Sequence, residues 1–490
     1  MIEVMELIYE KIGEVLDKAV KILSAHPLCD YCLGRQFSTL VYGAGNDEKG
    51  KAIKLSLIML SLLQGKDSEE ARSILTTLAS TGFKPAIKTL QALGEEAPEA
   101  RPCYICGGAL SKARFGELVE KIVEELREYE FRNLVVGARV PAELREREDE
   151  LRASFRIETG EDIKEDITRA IGSMLQRRLN VSVEYQNPEI VVLVDVFSGE
   201  YEIQVNPLFI KGYYRKLKKN IPQTPWYCRY CWGRGCERCG FTGREYPESV
   251  SELVGEPALR IFEALSYKFH GAGREDVDAT VIGTGRPFIL ELKHPRKRFV
   301  DLSILEREIN EHAQGRVEVS GLEYSSRREL RILKSLSPIA SKTYEAIVEF
   351  DGDVSDERLR EIEERFRGIV VEQRTPRRVL RRRADKIRQK KLYYIEAEKI
   401  DEKTVKFKIK TQGGLYVKEL IDGDEGRTKP NIAEVLGRRP LKIDLSVIEV
   451  EAPRSEKSEK DVELVLDRYS GEHLEDHGRD EEPVEDRSND

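Results

Sequence analysis

The sequence predicts a multidomain α/β (α+β) protein: a helical N-terminal zinc-binding region, a central α/β domain and a C-terminal mixed-sheet domain. Three observations carry this expectation. Apolar residues recur at helical spacing through residues 1–111. From residue 112 onward, amphipathic helical stretches are mixed with β-branched runs and period-2 alternation. Eight cysteines occur as four C-x-x-C pairs and nowhere else, which in a cytosolic chain points to zinc more than to disulfides.

Length and composition set the bounds. A chain of 490 residues suggests about three domains. With 40% hydrophobic and 35% charged residues, it holds material for several cores beneath a heavily charged surface. The longest apolar stretch, residues 53–63, contains Lys54 and falls short of the roughly 18 residues of a membrane span. The start Met1-Ile2-Glu3-Val4 lacks the basic and apolar regions of a signal peptide. No membrane association and a cytoplasmic location are therefore expected. The net charge is −8, but residues 471–490 hold nine acids against Arg479 and Arg487, so the rest of the chain is close to neutral. Local basic patches, not the total, then decide nucleic-acid binding. Residues 453–490 are expected to be an acidic, disordered tail. The Lys and Glu content, with only four Met and six His, leans towards a thermophile.

The elements follow in order. Ile8, Ile12, Val15, Ala19 and Leu23 define one N-terminal helix, and Leu55 and Leu62 suggest a second, nearly all buried. Residues 112–212 read as α/β. Phe115, Leu118, Val119, Ile122 and Leu126 form one helix face, and Ile163, Ile167, Ile171 and Met174 another. Residues 134–136 and 190–194 are β-branched runs of buried strands. Residues 213–245 form a basic, Gly-rich connector. Residues 246–452 look like α/β with much sheet. Val405, Phe407 and Ile409 alternate with Lys406, Lys408 and Lys410, giving a strand with one buried and one basic face.

Cys29, Cys32, Cys103 and Cys106 can supply four thiolates to one tetrahedral zinc, tying together the ends of the helical region. Cys228, Cys231, Cys236 and Cys239 fall within twelve residues, among Gly233, Gly235, Gly240 and Gly243, as in a zinc knuckle. Free core cysteines or a redox pair are the bland alternatives. Four Cys ligands leave no open coordination position, so both zinc sites are expected to be structural.

Residues 374–391 contain ten bases against one acid, Asp385. Arg374, Arg377, Arg378, Arg381, Arg382 and Arg383 are the candidate phosphate ligands, because cations on phosphates release counterions. A solvated face is the ordinary reading of a charge run, but this ratio exceeds what solubility requires. Two further basic stretches, 213–219 and 293–298, support nucleic-acid binding. Tyr213, Tyr214, Trp226 and Tyr227 could stack on unpaired bases.

The candidate catalytic segment is Gly273-Arg274-Glu275-Asp276, which alone would read as a turn. Two other segments add weight: Lys342-Thr343-Tyr344-Glu345-Ala346 and Gly414-Leu415-Tyr416-Val417-Lys418-Glu419-Leu420. In these three segments the chain resembles the pseudouridine synthases. It is most similar to the archaeal and eukaryotic THUMP-domain tRNA enzymes that modify T-loop uridines 54 and 55. Gly285-Arg286-Pro287-Phe288, residues 373–380 and residues 423–430 extend the likeness, and residues 112–212 resemble the THUMP fold. Thr280 and Arg381 stand where the family usually has Arg and often has His.

The resemblance implies a tRNA pseudouridine synthase with no organic cofactor. Asp276 would be the nucleophile, and Lys418 its basic partner. Tyr344 would stack on the target base and accept the C5 proton, and Tyr416 would line the pocket. Residues 374–391 would form a mobile loop gripping RNA, and the N-terminal half would hold the tRNA acceptor end. The chain is expected to act as a monomer. A THUMP-linked methyltransferase or thiouridine synthetase would need nucleotide loops that this sequence lacks. A non-catalytic zinc-containing RNA-binding protein remains the alternative, separated from the enzyme by the trio Asp276, Tyr344 and Lys418.

Overall fold

The computed structural model describes residues 2–63, 65, 68–337, 340–380 and 383–451, with side chains from residue 11 onward. The expected acidic tail lies outside them. The chain divides into two compact units, residues 1–206 and 207–490.

The first unit begins with helices. Ile2–Ala25 buries Ala19, Ile22 and Leu23, while Ile12 stays half exposed. Helix Asn46–Leu63 forms where expected but is not all buried. Leu57 and Ile58 face the core, whereas Met59, Leu60 and Leu63 are exposed. The apolar run therefore serves one face only. Beyond these helices lies a four-stranded sheet in the order Ser182–Val183, Asn133–Ala138, Ile190–Asp195, Glu200–Val205. Its first three strands are parallel and its last is antiparallel. Helix Ile163–Leu179 packs on the central strand, with Ile163, Ile167, Ile171 and Leu175 fully buried against Leu134, Ile190, Val192 and Val194. Asp162 caps this helix by accepting a hydrogen bond from the Lys164 amide.

The second unit is built on a ten-stranded sheet. Its path runs Thr428–Lys429, Val370–Arg374, Ile387–Lys399, Thr404–Gln412, Ser341–Phe350, Pro440–Glu451, Thr280–Lys293, Leu208–Lys216, Val317–Ser325, with Ser266–Gly271 also paired to Thr280–Lys293. The expected boundary at residue 212 falls inside Leu208–Lys216, which pairs on both edges within this sheet. Its alternating buried residues Ile210 and Tyr214 belong to the core of the second unit. A basic composition had masked a strand.

Two large cores and a small cluster of Phe209, Ile289 and Leu330 lie against this sheet. One large core is covered by helices Asp356–Arg365, Val417–Asp422 and Ile432–Leu436, the second by Val250–Phe262 and Leu302–Ala313. Strand Ser341–Phe350 is central, and Tyr344 packs against both cores, paired across to Ile409 and Val447. The expected alternation in Thr404–Gln412 is present. Val405, Phe407 and Ile409 are fully buried. The lysine face is neutralised: Lys408 pairs with Glu396 at 3.4 Å, Lys410 with Glu451 at 2.8 Å, and Lys406 with Glu398. Among the described residues, no helix is long and apolar enough to cross a membrane.

Candidate active site and cysteine clusters

The Gly273-Arg274-Glu275-Asp276 turn is anchored from beneath. Glu275 is buried; its Oε2 accepts a hydrogen bond from the Tyr214 hydroxyl at 2.8 Å and lies 3.0 Å from Arg286 Nε. Lys216, fully buried, donates to the backbone carbonyls of Asp276 and Val277, each at 3.1 Å. Gln223 donates to the Gly273 carbonyl at 2.9 Å and to the Tyr214 hydroxyl at 2.8 Å. Tyr214 and Lys216 were expected to contact RNA. They instead hold the Gly273–Asp276 turn, because their positions on Leu208–Lys216 point inward. Gly273 has φ +81°, a left-handed backbone that residues with a side chain rarely adopt, and a Cβ there would press on Lys342 Nζ at 2.5 Å.

This anchoring leaves the Asp276 side chain one-third exposed, reachable from solvent. Its partner is Arg378, whose Nη1 lies 2.7 Å from Asp276 Oδ1. Arg378 also donates from Nε to the buried carboxylate of Glu419 at 2.5 Å and from Nη2 at 3.2 Å. Burial opposes the charge of Arg378, but Glu419 and Asp276 outweigh it and hold the guanidinium firmly protonated. Burial pushes Glu419 up, with Arg378 pulling the other way. Lys418, expected against Asp276, ion-pairs with Asp278 at 2.5 Å. Position 418 is the second residue of the short helix Val417–Asp422, and the neighbouring Glu419 is the residue that turns towards the Asp276–Arg378 pair.

Two tyrosines complete the cleft. Arg378 Cζ lies 5.8 Å from the centre of the Tyr416 ring. The Tyr416 backbone is clamped by buried Gln373, which accepts from its amide at 2.8 Å and donates to its carbonyl at 3.0 Å. Tyr344 is partly buried, packed against both cores. Burial pushes its phenol up to about 12, with Arg286 opposing and the Asp276 and Glu275 charges adding to the rise. Lys342, two residues along the same strand face, is buried. Desolvation and nearby Arg286 bring its ammonium down to about 7, against the pull of Glu275. The three distant segments thus meet within one unit.

The arginine run is divided. Arg374 pairs with Asp385 at 2.8 Å, and Arg377 with Glu425. Arg378 is committed to Asp276 and Glu419. Arg383 is exposed, and Arg381 and Arg382 lie outside the described residues. The sequence predicts a grip on phosphate for this run, whereas its first three members have acidic partners within the fold. Arg378, Glu419, Gln373, Glu275, Arg286 and Lys342 were not singled out for the cleft. The available signal was Glu419, a carboxylate beside an apolar run, whose burial demands a cation.

Both cysteine quartets converge, with all four sulfurs of each within 4.8 Å of one another. Sulfur separations include 3.6 Å for Cys29–Cys106, 3.9 Å for Cys228–Cys236 and Cys231–Cys239, and 3.7 Å for Cys236–Cys239. A tetrahedron with Zn–S near 2.3 Å has edges of about 3.8 Å, so both groups have the size of a four-thiolate zinc site. In the first, the buried Arg35 places Nη2 3.6 Å from Cys32 Sγ, a cation beside the thiols. In the second, backbone amides of Cys236 and Gly243 lie 3.2 and 3.3 Å from Cys239 Sγ. Against desolvation, they pull the Cys239 thiol down to about 6.

Residues 209–451, which contain the whole cleft, match the family model described as Pus10, C-terminal. Residues 118–195 match that of the archaeal Pus10 THUMP domain. The chain is 43% identical over 437 residues to the tRNA pseudouridine synthase Pus10 of Thermofilum pendens, spanning 89% of this chain and 95% of that protein. The chain belongs to the Pus10 family. A second Pus10, from Methanothrix thermoacetophila, is 41% identical over 438 residues, 89% of this chain and 95% of its own. Among solved structures, a Cbf5-Nop10-Gar1 complex gives 20% identity, 45% of this chain and 51% of that one, with a TM-score of 0.27. The Pus10 C-terminal match begins at residue 209, one residue inside the strand Leu208–Lys216. The cysteine quartet 228–239 lies within that match, and Cys29, Cys32, Cys103 and Cys106 precede the Pus10 THUMP match.

Proposed function

We propose that this chain isomerises uridine to pseudouridine at position 54, 55 or both in the T-loop of tRNA, with Asp276 as nucleophile. The observation that carries this reading is a solvent-reachable carboxylate clamped by Arg378 between two tyrosine-bearing segments. A binding protein has no need of such an arrangement.

The N1–C1′ bond breaks, uracil turns, and C5 bonds to C1′, with the C5 proton lost and N1 gaining one. Arg378 pairs with the Asp276 carboxylate and holds it aimed. Whether Asp276 attacks C1′ or C6, or promotes elimination, the same carboxylate serves. Tyr344 stacks on the everted uracil and Tyr416 walls the pocket. A phenol at about 12 stays protonated near neutral pH, so we assign the C5 proton to water or the released Asp276 carboxylate instead of Tyr344. Everting the base costs a few kcal/mol, offset by contacts between basic side chains and RNA phosphates. The first unit would hold the acceptor end, and the chain would work as a monomer. Zinc in both quartets would be structural, and no organic cofactor is required.

The test is pseudouridine mapping in a tRNA transcript incubated with the protein alone, wild type against Asp276→Ala and Asp276→Asn. Modification at 54 or 55 by the wild type and its loss in both variants, with RNA binding retained, is expected. Undiminished modification by Asp276→Ala would remove the nucleophile.

A further inference from the structure

The cysteine module at 227–244 carries an unexplained feature. Trp232 is 78% exposed and Phe241 73%, with Tyr230 at 58% and Tyr227 at 50%. Four large aromatics on so small a module give it no core. Trp232 and Phe241 also have φ of +52° and +60°, the left-handed region that bulky residues avoid. Each follows the second cysteine of its C-x-x-C pair, Trp232 directly and Phe241 after Gly240. Glycine would fill both positions without strain, and does so at neighbouring Gly233, Gly235, Gly240 and Gly243. The two knuckles abut through backbone: a Cβ at Gly243 would meet the Gly233 carbonyl at 2.3 Å, and one at Gly235 the Phe241 carbonyl at 2.8 Å. Backbone packing thus holds Trp232 and Phe241 outward on one module. Strained, exposed aromatics persist where they serve a contact.

The charges say which contact. Residues 227–244 hold Arg229, Arg234, Arg238 and Arg244 against a single acid, Glu237. Arg229 and Arg244 have acidic partners, Glu245 and Glu252. Exposed Arg234 makes a 3.3 Å bond to the Cys231 carbonyl, and exposed Arg238 lies 4.2 Å from the Tyr230 ring centre. Neither has a carboxylate partner among the described residues. Exposed π faces beside guanidinium groups free to meet phosphate match unpaired nucleotides.

We propose that the 227–244 module is a stacking platform for unpaired nucleotides of the substrate RNA, with Trp232 and Phe241 as the base-contacting residues. This rests on the reading of the chain as an RNA-modifying enzyme. Arg234 and Arg238 contact the flanking phosphates.

The test uses the full chain with Trp232→Gly, Phe241→Gly and the double variant. Because glycine relieves the backbone, these variants are expected to melt no lower than wild type and to keep their zinc content. Each is expected to weaken binding of a tRNA transcript, and raise KM, about ten- to hundredfold, with kcat little changed. The tryptophan emission that wild type shows beyond Trp232→Phe is expected to be quenched by the transcript. Glycine variants that bind the transcript as wild type does, or Trp232 emission unmoved by saturating RNA, overturn the platform. Wild-type pseudouridine formation is read on the same transcript. An inactive wild type that still quenches overturns the catalytic reading and keeps the platform. An active wild type without quenching does the reverse.

Discussion

Arg378 Nη1 lies 2.7 Å from Asp276 Oδ1 while its Nε holds Glu419 at 2.5 Å, so one guanidinium joins the candidate nucleophile to a buried carboxylate. Residues 276 and 378 are brought together from two segments by the sheet, and Glu419 fixes the guanidinium so that it need not reorganise when a substrate enters.

From this pair, Arg378→Ala is expected to lower single-turnover pseudouridine formation about 100- to 1,000-fold, the range for loss of a preorganised charge partner. Lys418→Ala, whose ammonium faces Asp278, is expected to lose less than about tenfold. Equal losses in the two variants would contradict the assignment. Arg378→Ala also strands Glu419 in a buried site, at about 1–3 kcal/mol of stability. Adding Glu419→Gln should restore much of the melting temperature and none of the activity.

Gln373→Ala removes both hydrogen bonds that hold the Tyr416 backbone. It also removes the bond donated to the Thr428 hydroxyl at 3.1 Å. A loss of about 1–3 kcal/mol in denaturant unfolding is expected, with a fall in kcat/KM from the displaced ring. Activity unchanged to within a factor of two would show that Tyr416 needs no such support.

Lys342 makes stability depend on pH. Its ammonium is brought from 10.5 down to about 7 in the fold, by burial first and then Arg286 and Lys390, with Glu275 opposing. Between those values the unfolded chain binds the proton and the folded chain does not, so stability should rise as pH rises from about 7 towards 10. Below 7 both states are charged and the cost of the buried ammonium is fully present. Thermal melts of wild type and Lys342→Met across pH 6.5–9.5 test this. The variant's curve should be flatter and lie higher at the acid end; parallel curves would exclude Lys342 as the source.

Metal analysis of the purified protein is expected to give two zinc ions per chain. Sulfur spacings near a tetrahedral edge motivate the number. Chelation should lower the melting temperature, and Cys103→Ser should remove one zinc equivalent. Zinc below one equivalent without chelator would contradict both sites.

Much of the molecule was legible in order along the chain. The helix faces at 115–126 and 163–171, the buried run at 190–194 and the alternation at 405–409 are all local patterns, set by the periods of helix and strand. The cysteine quartets were legible because C-x-x-C fixes the distance between two ligands. Asp276 and Tyr344 were found through motif resemblance, and the cleft brings their segments together. The strand at 208–216 was hidden, since Tyr214 and Lys216 read as basic and aromatic surface until their partners Glu275 and the Asp276 carbonyl are in view.

The amino-acid order by itself therefore determined most of the elements and the cysteine sets, because each depends on spacing within a few residues, and resemblance supplied the three segments that form the cleft. Only the tertiary structure decided that Arg378, and not Lys418, meets Asp276, that Glu275 is an anchor, and that Trp232 and Phe241 stand outward. Ion pairing and burial depend on which side chains the fold brings together from 41 to 102 residues apart, and no local period encodes that choice.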